Sequence, residues 1–301
     1  MAIALRKLVV VGVGLIGGSF ALALKRARAV ENVVGAGRST ASLEKALELG
    51  IIDSVGATDR ATLAGADLVL LAMPVGQMEL AMRAIAPHLG ADTVITDAGS
   101  TKSSVVGAAR TVLPEHLARF VPAHPIAGAE LSGPAAAKAD LFDGRRVVIA
   151  PIAETSAAAK LRVEEAWRAC GAQVSEMTPD AHDRVFATVS HLPHLLAYAL
   201  VHEICGRGNA GELLGFAASG FRDFTRIAGS HPEMWRDIFL DNRAALLGEL
   251  DAYVAKLQSM RGLLAAGDAA ALERMLEQAR KARNEWAQGA AQGSLADGDP
   301  A

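Results

Sequence analysis

The chain has 301 residues, of which 51% are hydrophobic, and a formal net charge of -3. This length fits one large or two modest domains, each with its own core. Proteins that bind the phosphate backbone of nucleic acids carry an excess of basic residues. This chain lacks such an excess, so a nucleic acid is not expected as a partner. Its two cysteines, Cys170 and Cys205, are too few for a disulfide framework and lack the paired spacing of a metal site. No metal site is predicted.

The start of the chain and its longest apolar region bear on location. Residues 1–7 lead directly into a strand-like run, without the charged and apolar regions of a signal peptide, so a cytoplasmic protein is expected. Polar residues interrupt the apolar region at 185–204, which predicts a buried helix and no membrane span. The interrupting residues are Ser190, His191, Pro193, His194, His202 and Glu203.

From residue 7 to about residue 176, short β-branched runs alternate with segments of helical period. This alternation predicts a Rossmann-type, doubly wound parallel sheet with helices on both faces. The predicted strands are 8–11, 32–35, 68–72, 93–96, 119–121, 146–150 and 173–176. Beyond Pro179 the strand signals stop. We therefore predict a dinucleotide-binding domain at 1–177, an all-helical domain at 178–288 and a disordered tail at 289–301.

A glycine-rich motif, Gly12-x-Gly14-x-x-Gly17, directly follows the first predicted strand and opens a helix. In a dinucleotide fingerprint, Gly12 makes the tight turn and Gly14 lets the pyrophosphate approach the backbone. Gly17 allows close packing of helix on strand. Leu15 and Ile16, between the last two glycines, are expected beside the cofactor. The alternative is a glycine-rich turn that binds nothing, and the strand–turn–helix context argues against it.

The residues after the second predicted strand bear on the choice between NAD and NADP. Where an acidic residue would bind the ribose hydroxyl of NAD, the sequence reads Gly37-Arg38-Ser39-Thr40. The guanidinium of Arg38 can hold a 2′-phosphate, and Ser39 and Thr40 can donate hydroxyls to it, so NADP is preferred over NAD. The alternative is a solvated arginine without selectivity, which keeps NAD open as a cofactor.

Two side chains suited to chemistry follow neighbouring predicted strands. Ser100 follows the fourth strand, at the sheet edge where ligands of open α/β folds bind, and it also suits the N-cap of a helix starting near Lys102. His124 follows the next strand, and Pro125 restricts its backbone to extended conformations. An imidazole with an ordinary pKa of about 6.5 can accept a hydroxyl proton at neutral pH. A purely structural histidine is the alternative.

Five ordered sequence blocks resemble the prephenate/arogenate dehydrogenase family over residues 7 to about 288. They are Gly12-Val-Gly-Leu-Ile-Gly-Gly-Ser19, Asp97-Ala-Gly-Ser-Thr-Lys102, His124-Pro-Ile-Ala-Gly128, Ser190-His-Leu-Pro-His194, and Gly220-Phe-Arg-Asp-Phe-Thr-Arg-Ile-Ala228 with Met234-Trp-Arg-Asp-Ile238. Enzymes of this family oxidise the ring C4 hydroxyl of prephenate or arogenate with NAD(P) and release the ring carboxylate as carbon dioxide. The resemblance implies that reaction, in tyrosine biosynthesis, and a helical domain that binds substrate and forms a homodimer.

The resemblance also implies roles for individual residues. His124 would take the proton of the C4 hydroxyl, Ser100 would orient that hydroxyl and the nicotinamide, and Arg226 would bind the ring carboxylate. Arg222 and Arg236 stay open as alternatives for the carboxylate.

Three further residues lie in family blocks with less defined roles. His194 and Trp235 would shape the side-chain end of the substrate pocket. Glu130 lies in the loop after His124, which would cover the site.

Two other functions compete with this interpretation. A β-hydroxyacid dehydrogenase would use a lysine in the helical domain, yet the sequence has none between Lys160 and Lys256. A non-catalytic NADP-binding sensor would keep the glycine motif without turnover. The joint presence of Ser100, His124 and Arg226 argues against a sensor.

Overall fold

The structure is a computed structural model that describes residues 3–128 and 132–291. The chain divides into two compact units, one ending at Leu246 and the other beginning at Leu247.

A six-stranded parallel sheet forms the centre of the first unit. Its strands are β1 (Leu5–Val11), β2 (Val30–Ala36), β3 (Ser54–Val55), β4 (Leu68–Leu71), β5 (Val94–Asp97) and β6 (Phe120–Val121). They lie in the order β3-β2-β1-β4-β5-β6, so the direction of winding reverses between β1 and β4. In open α/β sheets a ligand binds at such a reversal, outside the carboxyl ends of the strands. The predicted fold class is confirmed.

Helices cover both faces of this sheet. They are α1 (Leu15–Arg26), α2 (Thr40–Glu48), α3 (Arg60–Leu63), α4 (Met78–Ile85), α5 (Ser103–Val112) and α6 (Ala157–Ala169). On one face the rings of Phe20 and Trp167 meet edge to face at 4.5 Å between centroids. On the other face Met78, Met82 and Val105 are buried against the sheet. Two buried layers of this kind hold the strand ends in a fixed arrangement, because each large apolar side chain contributes about 2 kcal/mol by leaving water.

A second, three-stranded sheet carries His124. Its strands are β7 (Ala123–Pro125), β8 (Arg146–Ile149) and β9 (Gln173–Glu176), and β7 runs antiparallel to β8 with His124 opposite Val148. One continuous parallel sheet was the simpler expectation from the sequence. The break falls at Pro122, which has no N–H for a sheet ladder, so β6 ends at Val121 and the chain pairs with β8 instead.

The helices after β9 complete the first unit. They are α7 (Pro179–Phe186), α8 (Leu192–Cys205), α9 (Ala210–Gly215), α10 (Ser219–Thr225) and α11 (Pro232–Asp241). One turn of π-helix, Ala187–His191, joins α7 to α8. The whole run Pro179–Cys205 is long and apolar enough to cross a membrane by length and composition. It nevertheless carries the buried polar side chains of His182, Asp183 and His191, which are hydrogen-bonded within the first unit.

The compact units do not divide at residue 177, because α7 packs on α5 and α11 packs on the turn before α4. Helix α12 (Arg243–Ala266) begins in the first unit. The second unit contains the rest of α12 and α13 (Ala269–Ala291), joined at Gly267 with a φ of 67°. Helix α13 continues three residues past Gln288, where the sequence predicted the helical domain to end. The rest of the predicted tail, 292–301, lies outside the described residues.

Candidate active site

Two adjoining cavities lie at the carboxyl ends of β1 and β4. The larger has a volume of about 570 Å³ and extends from the glycine loop to the start of α2. The smaller, about 280 Å³, extends from the start of α1 towards the start of α11. Gly14, Met73 and Gly133 line both cavities, which therefore form one cleft.

The glycine loop has the geometry of a close-approach turn. Gly12 has a φ of 97°, and a Cβ there would lie 2.5 Å from the carbonyl oxygen of Ala72. A Cβ on Gly17 would lie 2.3 Å from the carbonyl oxygen of Gly12, so only glycine permits this packing of α1 on β1. A Cβ on Gly14 would meet nothing within 4 Å, which leaves that backbone open to the cleft.

The first turn of α1 faces the cleft without a side-chain cap. Gly14 is its N-cap residue, and no side chain accepts a hydrogen bond from the N–H groups there. Leu15 and Ile16 line the smaller cavity. A helix N-terminus with open N–H groups favours an anion, so a diphosphate fits this end of α1.

The far end of the larger cavity is polar and has no carboxylate among its described lining residues. Arg38, Ser39, Ser42 and Thr58 line it. Ser39 Oγ accepts a hydrogen bond from the backbone N–H of Ser42 at 3.2 Å, and the two hydroxyls lie 3.0 Å apart. Thr40 is the first residue of α2 and is not among the lining residues, so Ser42 takes the position that the sequence suggested for Thr40.

Ser100 lines the smaller cavity, together with Gly99, His231 and Met234. It is not the N-cap of the next helix, as the sequence had suggested, because α5 starts at Ser103 with Lys102 in the cap position. The carboxylate of Asp183 on α7 caps α5 instead, and accepts hydrogen bonds from the backbone N–H groups of Lys102 and Ser103 at 2.8 Å each. The hydroxyl of Ser100 makes no hydrogen bond within the described part of the chain.

His124 belongs to a chain of three hydrogen-bonded side chains. Its Nδ1 lies 2.9 Å from Nε2 of His182, and Nδ1 of His182 lies 2.8 Å from Oδ1 of Asp183. An ionised carboxylate only accepts, so neutral His182 must donate from Nδ1 and accept at Nε2. His124 must then donate from Nδ1. Because the proton of His124 is on Nδ1, its Nε2 keeps a lone pair and can accept a proton.

Burial and neighbouring charge keep both imidazoles neutral. Burial lowers the pKa of His124 well below its usual range, and the nearby His182, Lys102 and His191 lower it further. Burial also lowers the pKa of His182, although its hydrogen bond to Asp183 acts in the opposite direction. For Asp183, burial raises the pKa, but the hydrogen bonds from His182, Ser103 and Lys102 together outweigh burial and lower it. The chain therefore consists of two neutral imidazoles and one carboxylate.

An aromatic pair lies beside Arg226, the predicted carboxylate ligand. The His194 imidazole stacks on the indole of Trp235 with 3.6 Å between ring centroids and an angle of 20°. Nδ1 of His194 donates to the carbonyl oxygen of Ser190 at 2.8 Å, so its Nε2 is an acceptor. Burial lowers the pKa of His194, and the charge of Arg226 contributes to that shift. The Trp235 indole N–H is buried and has no hydrogen-bond acceptor within the described residues.

The three candidate arginines differ in their surroundings. Arg226 lies near His194, as the effect on that pKa shows. Arg236 forms ion pairs with Asp237 at 2.6 Å and Glu233 at 3.7 Å, which engage its guanidinium at the surface. Arg222 lies exposed on α10. Glu130, also predicted for the substrate site, lies outside the described residues.

Sequence reasoning missed His182 and Asp183, the two residues that orient His124. They lie 58 and 59 positions beyond His124, and no motif links them to it. The local sequence offers one feature that could have drawn attention to them, because two titratable side chains stand next to each other one turn after Pro179, where the helix begins. Sequence reasoning also missed His191 and Asn242, which are both buried. Nδ1 of His191 accepts a hydrogen bond from Asn242 Nδ2 at 3.1 Å.

Comparison with known proteins identifies the family of the chain. Residues 20–176 match the family model described as prephenate dehydrogenase, nucleotide-binding domain, and residues 178–278 match that of prephenate dehydrogenase, dimerization domain. The chain belongs to the prephenate dehydrogenase family. The resemblance found in the sequence blocks is thereby confirmed.

Individual members of the prephenate dehydrogenase family match over most of their length. The cyclohexadienyl dehydrogenase of Zymomonas mobilis is 36% identical over 92% of this chain and 95% of its own. The prephenate dehydrogenase of Bacillus subtilis is 38% identical over 91% of this chain and 74% of its own. A crystal structure of A. aeolicus prephenate dehydrogenase with hydroxyphenyl propionate and NAD+ is 33% identical, with a TM-score of 0.88 over 95% of this chain and 99% of that chain.

Membership of this family decides between the functions that the sequence had left open. The chain is an oxidoreductase with a nucleotide-binding domain for a nicotinamide cofactor. It is therefore not a β-hydroxyacid dehydrogenase, which the absence of a lysine between Lys160 and Lys256 had already made the weaker interpretation.

Proposed function

We propose that this chain oxidises the ring C4 hydroxyl of prephenate, with release of the ring carboxylate as carbon dioxide. The observation that carries the proposal is the hydrogen-bonded chain from His124 through His182 to Asp183. It fixes His124 as the tautomer that accepts a proton at Nε2. Such a base is what the oxidation of a hydroxyl to a carbonyl requires.

In the proposed reaction, Nε2 of His124 removes the proton from the C4 hydroxyl. When bound, the nicotinamide supplies the acceptor for the hydride that leaves C4. The C4–O bond becomes a carbonyl, and cleavage of the bond between ring C1 and its carboxylate then releases carbon dioxide. The electrons of that bond enter the ring and pass to the C4 oxygen, which takes the proton back from His124 and becomes a hydroxyl as the ring becomes aromatic. The Asp183 carboxylate stabilises the positive charge that the imidazoles gain with the proton.

Other residues would bind and orient the substrate. Ser100, with a hydroxyl free of other hydrogen bonds in the described chain, would hold the C4 hydroxyl beside the nicotinamide end of the cleft. Arg226 would bind the ring carboxylate through its guanidinium fork. The His194 and Trp235 pair would contact the side chain, where the indole N–H can donate to a carbonyl or carboxylate oxygen and Nε2 of His194 can accept from a donor. Glu130 stays a sequence-based candidate.

The test of this function is formation of reduced cofactor, followed by absorbance at 340 nm, with prephenate or arogenate paired with NADP or NAD. We expect prephenate to be used well and arogenate also, because the indole N–H of Trp235 can donate to a keto oxygen while Nε2 of His194 can accept from an ammonium group. His124→Asn should lower kcat by roughly a hundredfold or more, since the base is lost. Cofactor binding without reduction in all four pairings would support the sensor function instead. A strong preference for arogenate would overturn only the choice of substrate.

We infer that NADP is preferred to NAD. Arg38 and the hydroxyls of Ser39 and Ser42 form a cationic, hydroxyl-rich end to the cleft, which suits a 2′-phosphate. Arg38→Ala should raise KM for NADP about tenfold and leave KM for NAD nearly unchanged. Arg110→Ala is the matched control, because Arg110 pairs with Glu154 on the surface away from the cleft. Equal loss with both cofactors would contradict the preference.

We also propose a homodimer. On α12 of the second unit, Leu247, Val254, Leu257 and Leu264 recur on one helical face and are 42–65% exposed. An apolar face of this length is more often covered by a partner than left in water. Sedimentation should give a dimer for the natural chain, and the double variant Leu257→Glu/Leu264→Glu should give a monomer. A monomeric natural chain would refute the proposal. The cytoplasmic location stays a prediction.

A further inference from the structure

A buried ion pair lies beside His124 and has no role in the reaction so far. Lys102 Nζ contacts Asp97 Oδ2, and both side chains have no solvent exposure. Removing two charges from water costs more than an isolated ion pair usually returns, so a buried pair needs further hydrogen bonds and often has a function.

The pair holds the backbone of one residue, Ala123, through both its N–H and its carbonyl oxygen. Asp97 Oδ1 accepts a hydrogen bond from the backbone N–H of Ala123 at 3.1 Å. Lys102 Nζ donates to the carbonyl oxygen of the same residue at 2.8 Å. Ala123 directly precedes His124 in β7. The two buried charges therefore fix the backbone from which the imidazole projects.

Lys102 also contacts the other end of the histidine chain. Its backbone N–H donates to Oδ1 of Asp183 at 2.8 Å, and the same oxygen accepts from Nδ1 of His182. A closed ring results, from Lys102 to Asp183, His182, His124, Ala123 and back to the Lys102 ammonium. One residue thus touches both ends of the proton-accepting assembly.

Charged and titratable groups surround His124 on every side from which an element packs against it. They are Asp97 and Lys102 before α5, His182 and Asp183 on α7, and His191 in the π-helical turn. Burial lowers the pKa of His182, the bond to Asp183 raises it, and the charge of Lys102 lowers it more than Asp97 raises it. Lys102 also lowers the pKa of His124. The ammonium of Lys102 therefore disfavours a proton on the imidazoles, whereas the carboxylate of Asp183 favours one.

We propose that Lys102 is a positioning residue for His124, which with Asp97 holds Ala123 in place and whose buried positive charge disfavours an additional proton on the two imidazoles. The inference rests on the proposed function only in taking His124 as the base. Without Lys102, burial would still disfavour a proton on His124, but one positive charge that opposes it would be gone, and the protonation equilibrium would move towards the protonated ring.

Titration of the His124 ring by NMR tests this directly in the full-length protein without substrate. The protein has eight histidines, and the His124 signal is assigned by its loss in His124→Asn. The variants are Lys102→Met and the double variant Asp97→Asn/Lys102→Met, which leaves no unpaired buried carboxylate and remains interpretable if the single variant does not fold. Lys160→Met is the matched control, because Lys160 on α6 pairs with Glu176 of β9 and is not among the groups that shift the pKa of His124.

We expect the midpoint of His124 to rise by about one pH unit in the double variant, a tenfold change in its protonation equilibrium, and to stay unchanged in Lys160→Met. The acidic limb of kcat/KM against pH should move upward by the same amount. A folded double variant with a His124 midpoint within about 0.3 unit of the natural protein would overturn the proposal, even if kcat fell. Because the titration needs no turnover, it stands if the proposed reaction fails.

Discussion

Acidification should destabilise the protein through His191, and the size of the effect can be worked out. Its imidazole is 1% exposed and accepts a hydrogen bond from Asn242. Burial lowers its pKa from 6.5 to about 4. The unfolded chain therefore takes up a proton below pH 6.5 that the folded chain takes up only near pH 4. A group with a depressed folded pKa contributes stability that is complete above pH 6.5 and is lost as the pH falls.

The expected loss between pH 7.5 and pH 5 is about 2 kcal/mol from this histidine, since each unit of difference corresponds to about 1.4 kcal/mol. For a chain of 301 residues this lowers Tm by about 3 °C. The pKa values of His124 and His182 are depressed in the same direction, so the natural protein should lose more than this amount in total.

The assay is urea unfolding at the two pH values and one protein concentration, followed by tryptophan fluorescence. His191→Asn keeps an oxygen acceptor for Asn242 but cannot take up a proton, so it should lose about 2 kcal/mol less than the natural protein on acidification. His202→Asn is the control, because His202 lies exposed on α8. If His191→Asn shows the same loss on acidification as the natural protein, His191 is not the acid-sensitive group.

Two further predictions concern activity. His182→Leu removes both the acceptor for His124 and the donor to Asp183, so kcat should fall roughly tenfold to a hundredfold with KM for NADP unchanged; a rise in KM alone would contradict an orienting role. Arg226→Ala should mainly raise KM for prephenate, because a cation that binds the carboxylate is lost. Arg236→Ala is its matched control, since Asp237 and Glu233 already engage that side chain. The reverse pattern would assign the carboxylate to Arg236.

Local sequence was enough for the fold class and the cofactor end of the cleft. Much of the glycine loop is encoded within six residues, because the positive φ of Gly12 and the contact of Gly17 with the Gly12 carbonyl oxygen are set inside the loop. The position of Arg38 could also be predicted from local sequence, because the length of the second strand places it just after the end of β2. Ser42 lines the cavity and Thr40 does not, because side chains two positions apart along a helix are rotated by about 200° from each other.

The chemistry around His124 depended on tertiary structure. The sequence identified His124 and Ser100 through blocks of the prephenate dehydrogenase family, and these assignments stay predictions. That His124 meets His182 depends on α7 packing against α5, with Asp183 capping α5 from 80 residues away. A sequence read locally cannot contain such a contact, because hydrogen bonds between distant elements are set by how their apolar faces pack. The sequence determined which titratable and hydrogen-bonding side chains the protein has. The packing of α7 decided which of these side chains lie close enough to act together.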